Sequence, residues 1–169
     1  LQVDTSGVFA SNLIDSTLSP ATTNAGIALS PNDTYFWRLV TADNVGNTTT
    51  IAADTFMIDT VAPTGAAPAD PPNLSDTAAT SFVFAWTAGS DLLSGVSAYT
   101  VQLSSDSTFG VVDTSATTAA LSAGLARTGT DTAYWRVITR DQAGNTTNSV
   151  IRVLRVDTTS PVAAVLVDP

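Results

Sequence analysis

Every acidic residue in this chain is an aspartate and every basic residue an arginine: fifteen Asp and six Arg, with no Glu, Lys, His or Cys. That inventory removes most side-chain chemistry. A Ser-His-Asp or Cys-His pair needs an imidazole. Schiff bases, Ser-Lys pairs and Lys–Asn isopeptide cross-links need a lysine. Zinc and copper sites need His or Cys. Two aspartates could in principle hydrolyse a glycoside, but no Asp lies in a segment that reads as a buried cleft. The expectation is a chain that is not an enzyme and requires no cofactor. Oxygen donors remain, and carboxylates and carbonyls suit Ca2+. The candidate donors are Asp59, Asp91, Asp141 and Asn145. The competing reading is that Asp141-Gln142-Ala143-Gly144-Asn145 is a turn whose polar side chains bond their own backbone, with Asp59 capping a linker.

The net charge of −9 argues against nucleic acid, which needs clustered Lys and Arg, and against anionic membrane surfaces. No apolar run approaches the length of a membrane span, so no insertion is expected in this stretch. Zero Cys is compatible with secretion without disulfides and with the cytosol.

The elements that would position the donors come in duplicate. Tyr35-Phe36-Trp37-Arg38-Leu39-Val40-Thr41-Ala42-Asp43 returns as Ala133-Tyr134-Trp135-Arg136-Val137-Ile138-Thr139-Arg140-Asp141, 98 residues on. Gly46-Asn47 answers Gly144-Asn145, and Ile58-Asp59-Thr60 answers Val156-Asp157-Thr158. Gln2 and Phe9 match Gln102 and Phe109 at a slightly larger offset. A repeat of this length is a small domain rather than a solenoid unit. Residues 64–161 read as one complete repeat, 1–63 as the C-terminal two-thirds of a preceding one, and 162–169 as the start of a third. Neighbouring repeats would join through short proline-containing linkers that narrow the backbone's freedom.

Abundant Thr and Val favour strands, and no stretch combines helical apolar periodicity with caps. In the second repeat, Ser81–Thr87 places Phe82, Phe84 and Trp86 on one face. Residues 97–104 do the same with Tyr99, Val101 and Leu103, and residues 132–140 with Trp135 and Val137. Residues 109–113 and 117–121 read as shorter strands, and 149–156 closes the unit with Leu154 and Val156 inward. In the first repeat the matching core is Phe9, Leu29, Tyr35, Trp37, Leu39, Phe56 and Ile58. Residues 29–35 lead into a tyrosine corner, a Tyr hydroxyl tied back to its turn. The second repeat has Ala133 there, so its corner is lost or taken over by Tyr134. The fold class is all-β, as tandem seven-stranded antiparallel β-sandwiches.

Trp86, Ser94-Gly95-Val96, Tyr99-Thr100-Val101-Gln102, Phe109, Tyr134-Trp135-Arg136-Val137, Asp141 to Asn145 and Val156 to Pro161 resemble bacterial fibronectin type III-like and immunoglobulin-like tandem repeats. The resemblance covers nearly all of 81–161 and again 29–63. It implies an extracellular or cell-surface location and a structural segment (stalk, adhesin, filament or surface layer) that spaces, presents or assembles. In a sandwich of this type the loops holding Asp91 and Asp141 lie at the pole facing the preceding repeat, so Asp59, Asp91, Asp141 and Asn145 could share an interdomain calcium. Asp157 would serve the next junction, and Asp43 and Asn47 are the counterparts in the first repeat.

On the outward face, Phe36, Val40, Tyr134 and Ile138 either lie under flanking strands and Arg stems or form a lateral contact between chains. The expected partners are neighbouring repeats of the same chain, and a homo-oligomer or filament through lateral or strand-donating contacts. The alternative function is a ligand-binding accessory module, for carbohydrate or a host protein, in a secreted multidomain protein. Asn32, Asn47, Asn73 and Asn145 stand in glycosylation sequons.

Overall fold

The computed structural model describes residues 1–127 and 129–164. It divides into two compact units, Leu1–Val61 and Ala62–Pro169. Of the expected start of a third repeat, residues 165–169 lie outside the described residues. Every regular element among the described residues is a strand.

The first unit holds β1 (Gln2–Asp4), β2 (Ile14–Asp15), β3 (Asp33–Arg38), β4 (Val40–Ala42), β5 (Thr48–Thr50) and β6 (Asp54–Ile58). Four of them form one antiparallel sheet in the order β2-β1-β3-β6, and β4-β5 is a hairpin. Trp37 faces Val3 and Asp54 in register. The tyrosine corner is present: the Tyr35 hydroxyl donates to the Ser30 carbonyl at 2.8 Å, and its ring stacks on Phe56 at 5.6 Å.

The second unit holds β7 (Ala67–Asp70), β8 (Ser75–Thr77), β9 (Ser81–Thr87), β10 (Val96–Ser104), β11 (Thr114–Thr118), β12 (Ser122–Ala126), β13 (Asp131–Asp141), β14 (Thr146–Asn148) and β15 (Arg152–Val156). One sheet runs β12-β9-β7 and the other β11-β10-β13-β15-β8, with β14 on β13. Counting β7 with β8 and β14 with β15 as single interrupted strands gives seven strands in two sheets. The strand after β10 joins the larger sheet, unlike the constant-type immunoglobulin layout of four and three. All pairs in this unit are antiparallel except β8 with β15, which is parallel.

The core lies between these sheets because each strand alternates. Phe82, Phe84 and Trp86 of β9 meet Tyr99, Val101 and Leu103 of β10 and Trp135 and Val137 of β13. Phe84 packs edge-on against Trp135 at 4.9 Å, and the Trp86 and Tyr99 rings lie tilted to each other at 5.8 Å. Ala133 is fully buried, so the second unit has lost its tyrosine corner. Tyr134 sits on the other face, opposite Ser104 and Val153.

Three expectations shift. Residues 109–113 are not a strand, because Phe109 adopts a left-handed φ of 57° inside a turn clamped by Asp106. The next strands are β11 and β12, and the expected strand at 117–121 coincides with β11 only at 117–118. The last strand is interrupted at 149–151, where the Ser149 hydroxyl accepts the Val137 N–H at 2.9 Å and takes a ladder position. In the first unit Trp37 is 37 % exposed, not core, whereas Trp135 is fully buried. Its sheet has no second sheet packed on it among the described residues.

Candidate functional site

The candidate donors of the second unit sit on two tight turns. Asp141 ends β13, and its Oδ1 accepts the backbone N–H of Gly144 at 2.6 Å and of Asn145 at 2.8 Å. The Asn145 amide donates to Asp141 Oδ2 at 2.8 Å. Gly144 has φ +101°, a conformation that favours glycine. Asp91 organises the β9–β10 loop in the same way, its Oδ1 accepting the N–H groups of Leu93, Ser94 and Gly95 at 2.8–3.1 Å. Gly95 too has a left-handed φ, and its carbonyl accepts the Gln142 N–H at 2.9 Å, joining the two loops. Carboxylate oxygens of Asp91 and Asp141 lie within 4.8 Å of each other, and Asp141 is almost wholly buried. The structure thus brings Asp91, Asp141 and Asn145 together.

Asp59 belongs to the first unit, where its Oδ1 accepts the Val61 N–H at 3.0 Å. The Asp43 turn reproduces the Asp141 turn: Oδ1 accepts from Val45 and Asn47, and the Asn47 amide donates to Oδ2 at 2.7 Å. Those bonds, the Asn47 amide first, hold the Asp43 carboxyl below its ordinary range. Asp157 accepts from the Thr159 hydroxyl and N–H, which lower its pKa likewise.

The four outward residues, Phe36, Val40, Tyr134 and Ile138, are half-buried in their sheets. Phe36 lies beside Gly7, where an added Cβ would meet its ring at 3.4 Å. Ile138 faces Thr100 and Asn148 in register.

A second constellation on that face was only half legible. Arg136 lies 4.2 Å over the Phe109 ring and donates through Nε to Gln102 Oε1 at 2.9 Å. Arg38 does the same with Phe9 at 4.2 Å and Gln2 at 2.7 Å. The signal was the recurrence of Gln2 and Phe9 as Gln102 and Phe109. Reading Phe9 as ordinary core missed that an Arg plane covers it.

The segment joining the units is anchored at each end within its own unit. Asn32 Oδ1 accepts both the N–H and the hydroxyl of Thr60, at 2.7 and 3.0 Å. The Thr64 N–H donates to the Ser90 carbonyl at 2.8 Å, Ser90 N–H returns to Thr64 Oγ1 at 2.7 Å, and Ala66 N–H donates to the buried Thr139 hydroxyl at 2.8 Å. Only residues 61–63 separate the two anchored positions. The sequon asparagines have structural duties: Asn32 with Thr60, Asn47 with Asp43, Asn73 with the Val153 N–H, and Asn145 with Asp141.

No family model matches the sequence, and no curated protein matches it. Among solved structures, the chicken CNTN1 FN1–FN3 domains are similar at 14 % identity and a TM-score of 0.39, over 79 % of this chain. The chain spans 46 % of that structure's length. The strand pairing itself establishes the class, an all-β protein whose second unit is a two-sheet sandwich. No helix among the described residues is long and apolar enough to cross a membrane.

Proposed function

We propose that this chain is a non-enzymatic structural segment of an extracellular or cell-surface protein, in which β-sandwich units in series space or present other parts. The observation that carries this reading is the anchoring of the connecting segment: Thr60 is bonded to Asn32, Thr64 to Ser90 and Ala66 to Thr139. A connection with three residues between its bonded positions has little of the chain entropy of a flexible tether. The residue inventory, without His, Cys, Lys or Glu, suits a spacer better than a catalyst. The test is small-angle X-ray scattering on polypeptides with one, two and four copies of residues 64–161. A spacer gives a maximum dimension that grows in proportion to copy number. Growth as the square root, as for flexibly tethered beads, refutes the reading.

A calcium-stiffened version has one observation in its favour, the close approach of the Asp91 and Asp141 carboxylates in the second unit. Two like charges at that separation are relieved by a cation with oxygen preference. Thermal unfolding in calcium and in chelator decides it. A calcium-dependent rise in Tm that Asp141→Ala abolishes supports the ion, since a ligand of the native state stabilises by mass action. No rise leaves the two aspartates as turn formers.

A further inference from the structure

Aspartate is the commonest charged residue of this chain, fifteen against six Arg, yet one surface of the second unit is free of it. On β13 the side chains of Trp135, Val137, Thr139 and Asp141 are buried, so Tyr134, Arg136, Ile138 and Arg140 form the outward row. Gln102 and Thr100 of β10 flank Arg136 and Ile138 in register, and Asn148 of β14 flanks Ile138 from the other side. The outward positions of β10, β11, β13 and β14 carry two arginines and no acidic residue. The Arg136 guanidinium is held in place there, 4.2 Å over the Phe109 ring and bonded through Nε to Gln102 Oε1 at 2.9 Å. Its two Nη groups have no partner among the described residues. Arg140 is exposed and borders a shallow depression of about 630 Å³ that Thr100 and Thr117 also line. The first unit repeats the arrangement, with Phe36 two positions before Arg38 and Arg38 fixed over Phe9 and bonded to Gln2. What the two units share beside the guanidinium is a flat ring, not a phenol hydroxyl.

We propose that the β13 row from Tyr134 to Arg140 is a binding site for a linear acidic polysaccharide, a chain of uronic acids laid along the strand. Charge complementarity selects an anion, because the local charge is positive in a chain whose net charge is −9. A guanidinium whose plane is already fixed, with both Nη groups open, accepts a carboxylate bidentately and loses little freedom in doing so. Residues four apart on a strand stand about 13 Å from each other. One carboxylate therefore cannot serve both Arg136 and Arg140, whereas successive acidic sugars can. The Tyr134 ring offers an apolar surface for the C–H face of a pyranose. Thr100, Thr117 and Asn148 supply hydroxyl and amide groups for the sugar hydroxyls. An acidic peptide is served less well. The backbones of β10 and β13 are already paired on both sides, so the main-chain bonds that give strand addition its affinity are not on offer.

The inference stands on the surface of the second unit and not on the spacer role. The scattering series measures length and leaves it untouched, so the two fail separately. The probe is tetragalacturonate, titrated calorimetrically into the whole chain in the presence of chelator, so that no calcium bridges the sugar to the aspartates. Two-dimensional NMR follows the Arg136 Nε–H and the Tyr134 ring in parallel. The expected result is saturable binding that shifts both signals and weakens roughly tenfold or more when the carboxylates are methyl-esterified, the scale of one lost charge-assisted bond. Arg136→Lys keeps the charge but removes the fork and should weaken binding by roughly the same factor. Tyr134→Ala should also weaken it, and Tyr134→Phe should not. Arg140→Lys replaces Arg136→Lys if the latter loses the native Trp135 indole signal. The proposal is overturned by absence of saturable binding, by equal affinity for the methyl ester, by binding that both Lys variants leave unchanged, or by binding indifferent to Tyr134→Ala. An aspartate oligopeptide of equal charge that binds as tightly makes an acidic peptide the occupant and also overturns it.

Discussion

Truncating the equivalent tryptophans, Trp135→Ala and Trp37→Ala, should not cost the same. Trp135 is fully buried and Trp37 keeps 37 % of its surface exposed. A tryptophan buries up to about 250 Å²; the exposed share of Trp37 is then about 90 Å², worth about 2 kcal/mol at about 25 cal/mol per Å². Trp135 has in addition its edge contact with Phe84 at 4.9 Å, worth about 0.5–1.5 kcal/mol. Trp135→Ala is therefore expected at the usual cost for a buried aromatic, about 3–5 kcal/mol, and Trp37→Ala at about 2.5–3.5 kcal/mol less. Hydrogen exchange read by mass spectrometry reports each unit separately. Protection of peptides from β10 and β13 should fall by roughly 100-fold or more with Trp135→Ala, at about 1.4 kcal/mol per tenfold. Protection in β1 and β3 should change much less with Trp37→Ala. Equal losses, or a larger loss for Trp37→Ala, would refute the reasoning, because they would require a covered Trp37.

Gly89→Ala should destabilise the second unit in urea unfolding, since its Cβ would lie 2.2 Å from the Thr64 carbonyl oxygen; an unchanged midpoint would show that the 62–66 segment yields freely. Thr139→Val leaves the Ala66 N–H buried without its acceptor and should cost about 1–3 kcal/mol, read by the same unfolding curves. Tyr35→Phe removes the corner bond to Ser30 and should cost the first unit about 1 kcal/mol, read by hydrogen exchange of β3. The Asp43, Asp106 and Asp157 carboxyls are held below their ordinary value of 3.8 by bonds from Asn47, Thr108 and Thr159 respectively. A depressed folded pKa gives stability that is present above the unfolded value and lost as pH falls through the folded one. Tm should thus be flat above pH 5 and fall below about pH 4, and Asp106→Asn should soften that fall; a Tm independent of pH down to pH 2 would contradict it.

Most of the second unit could be read from its pattern because each strand faces one core. The alternations of β9, β10 and β13 named Phe84, Trp86, Val101, Leu103, Trp135 and Val137 directly. The turn at 141–145 was legible because Gly144 sits where a left-handed residue is needed. Other features depend on partners that local sequence does not contain. Phe109-Gly110-Val111-Val112 has strand composition, yet Asp106 accepts the N–H groups of Thr108 and Gly110 at 2.8 Å and bends it into a turn. Trp37 and Trp135 stand in the same Trp-Arg pair within matching strands, and among the described residues the presence or absence of an opposing sheet separates them. The recurring asparagines read as sequons or chance, while their side chains tie turns and strand ends. The proximity of Asp91 and Asp141 followed from which loops share a pole, but the N–H groups that each gathers around Oδ1 came only with the backbone geometry.

The parallel pairing of β8 with β15 has a mechanical consequence. These strands lie near the two ends of the second unit, so pulling its termini apart drags them past each other lengthwise. Their connections are Leu154 with Ser75, Arg155 with Asp76 and Val156 with Thr77 in register. The N–H of Leu74 on the Val153 carbonyl at 2.8 Å and that of Asp157 on Thr77 at 2.9 Å extend the clasp at both ends. Tension along the chain therefore strains all of these bonds together, in shear, rather than unzipping them one after another. A unit fastened this way resists extension until the whole clasp gives at once.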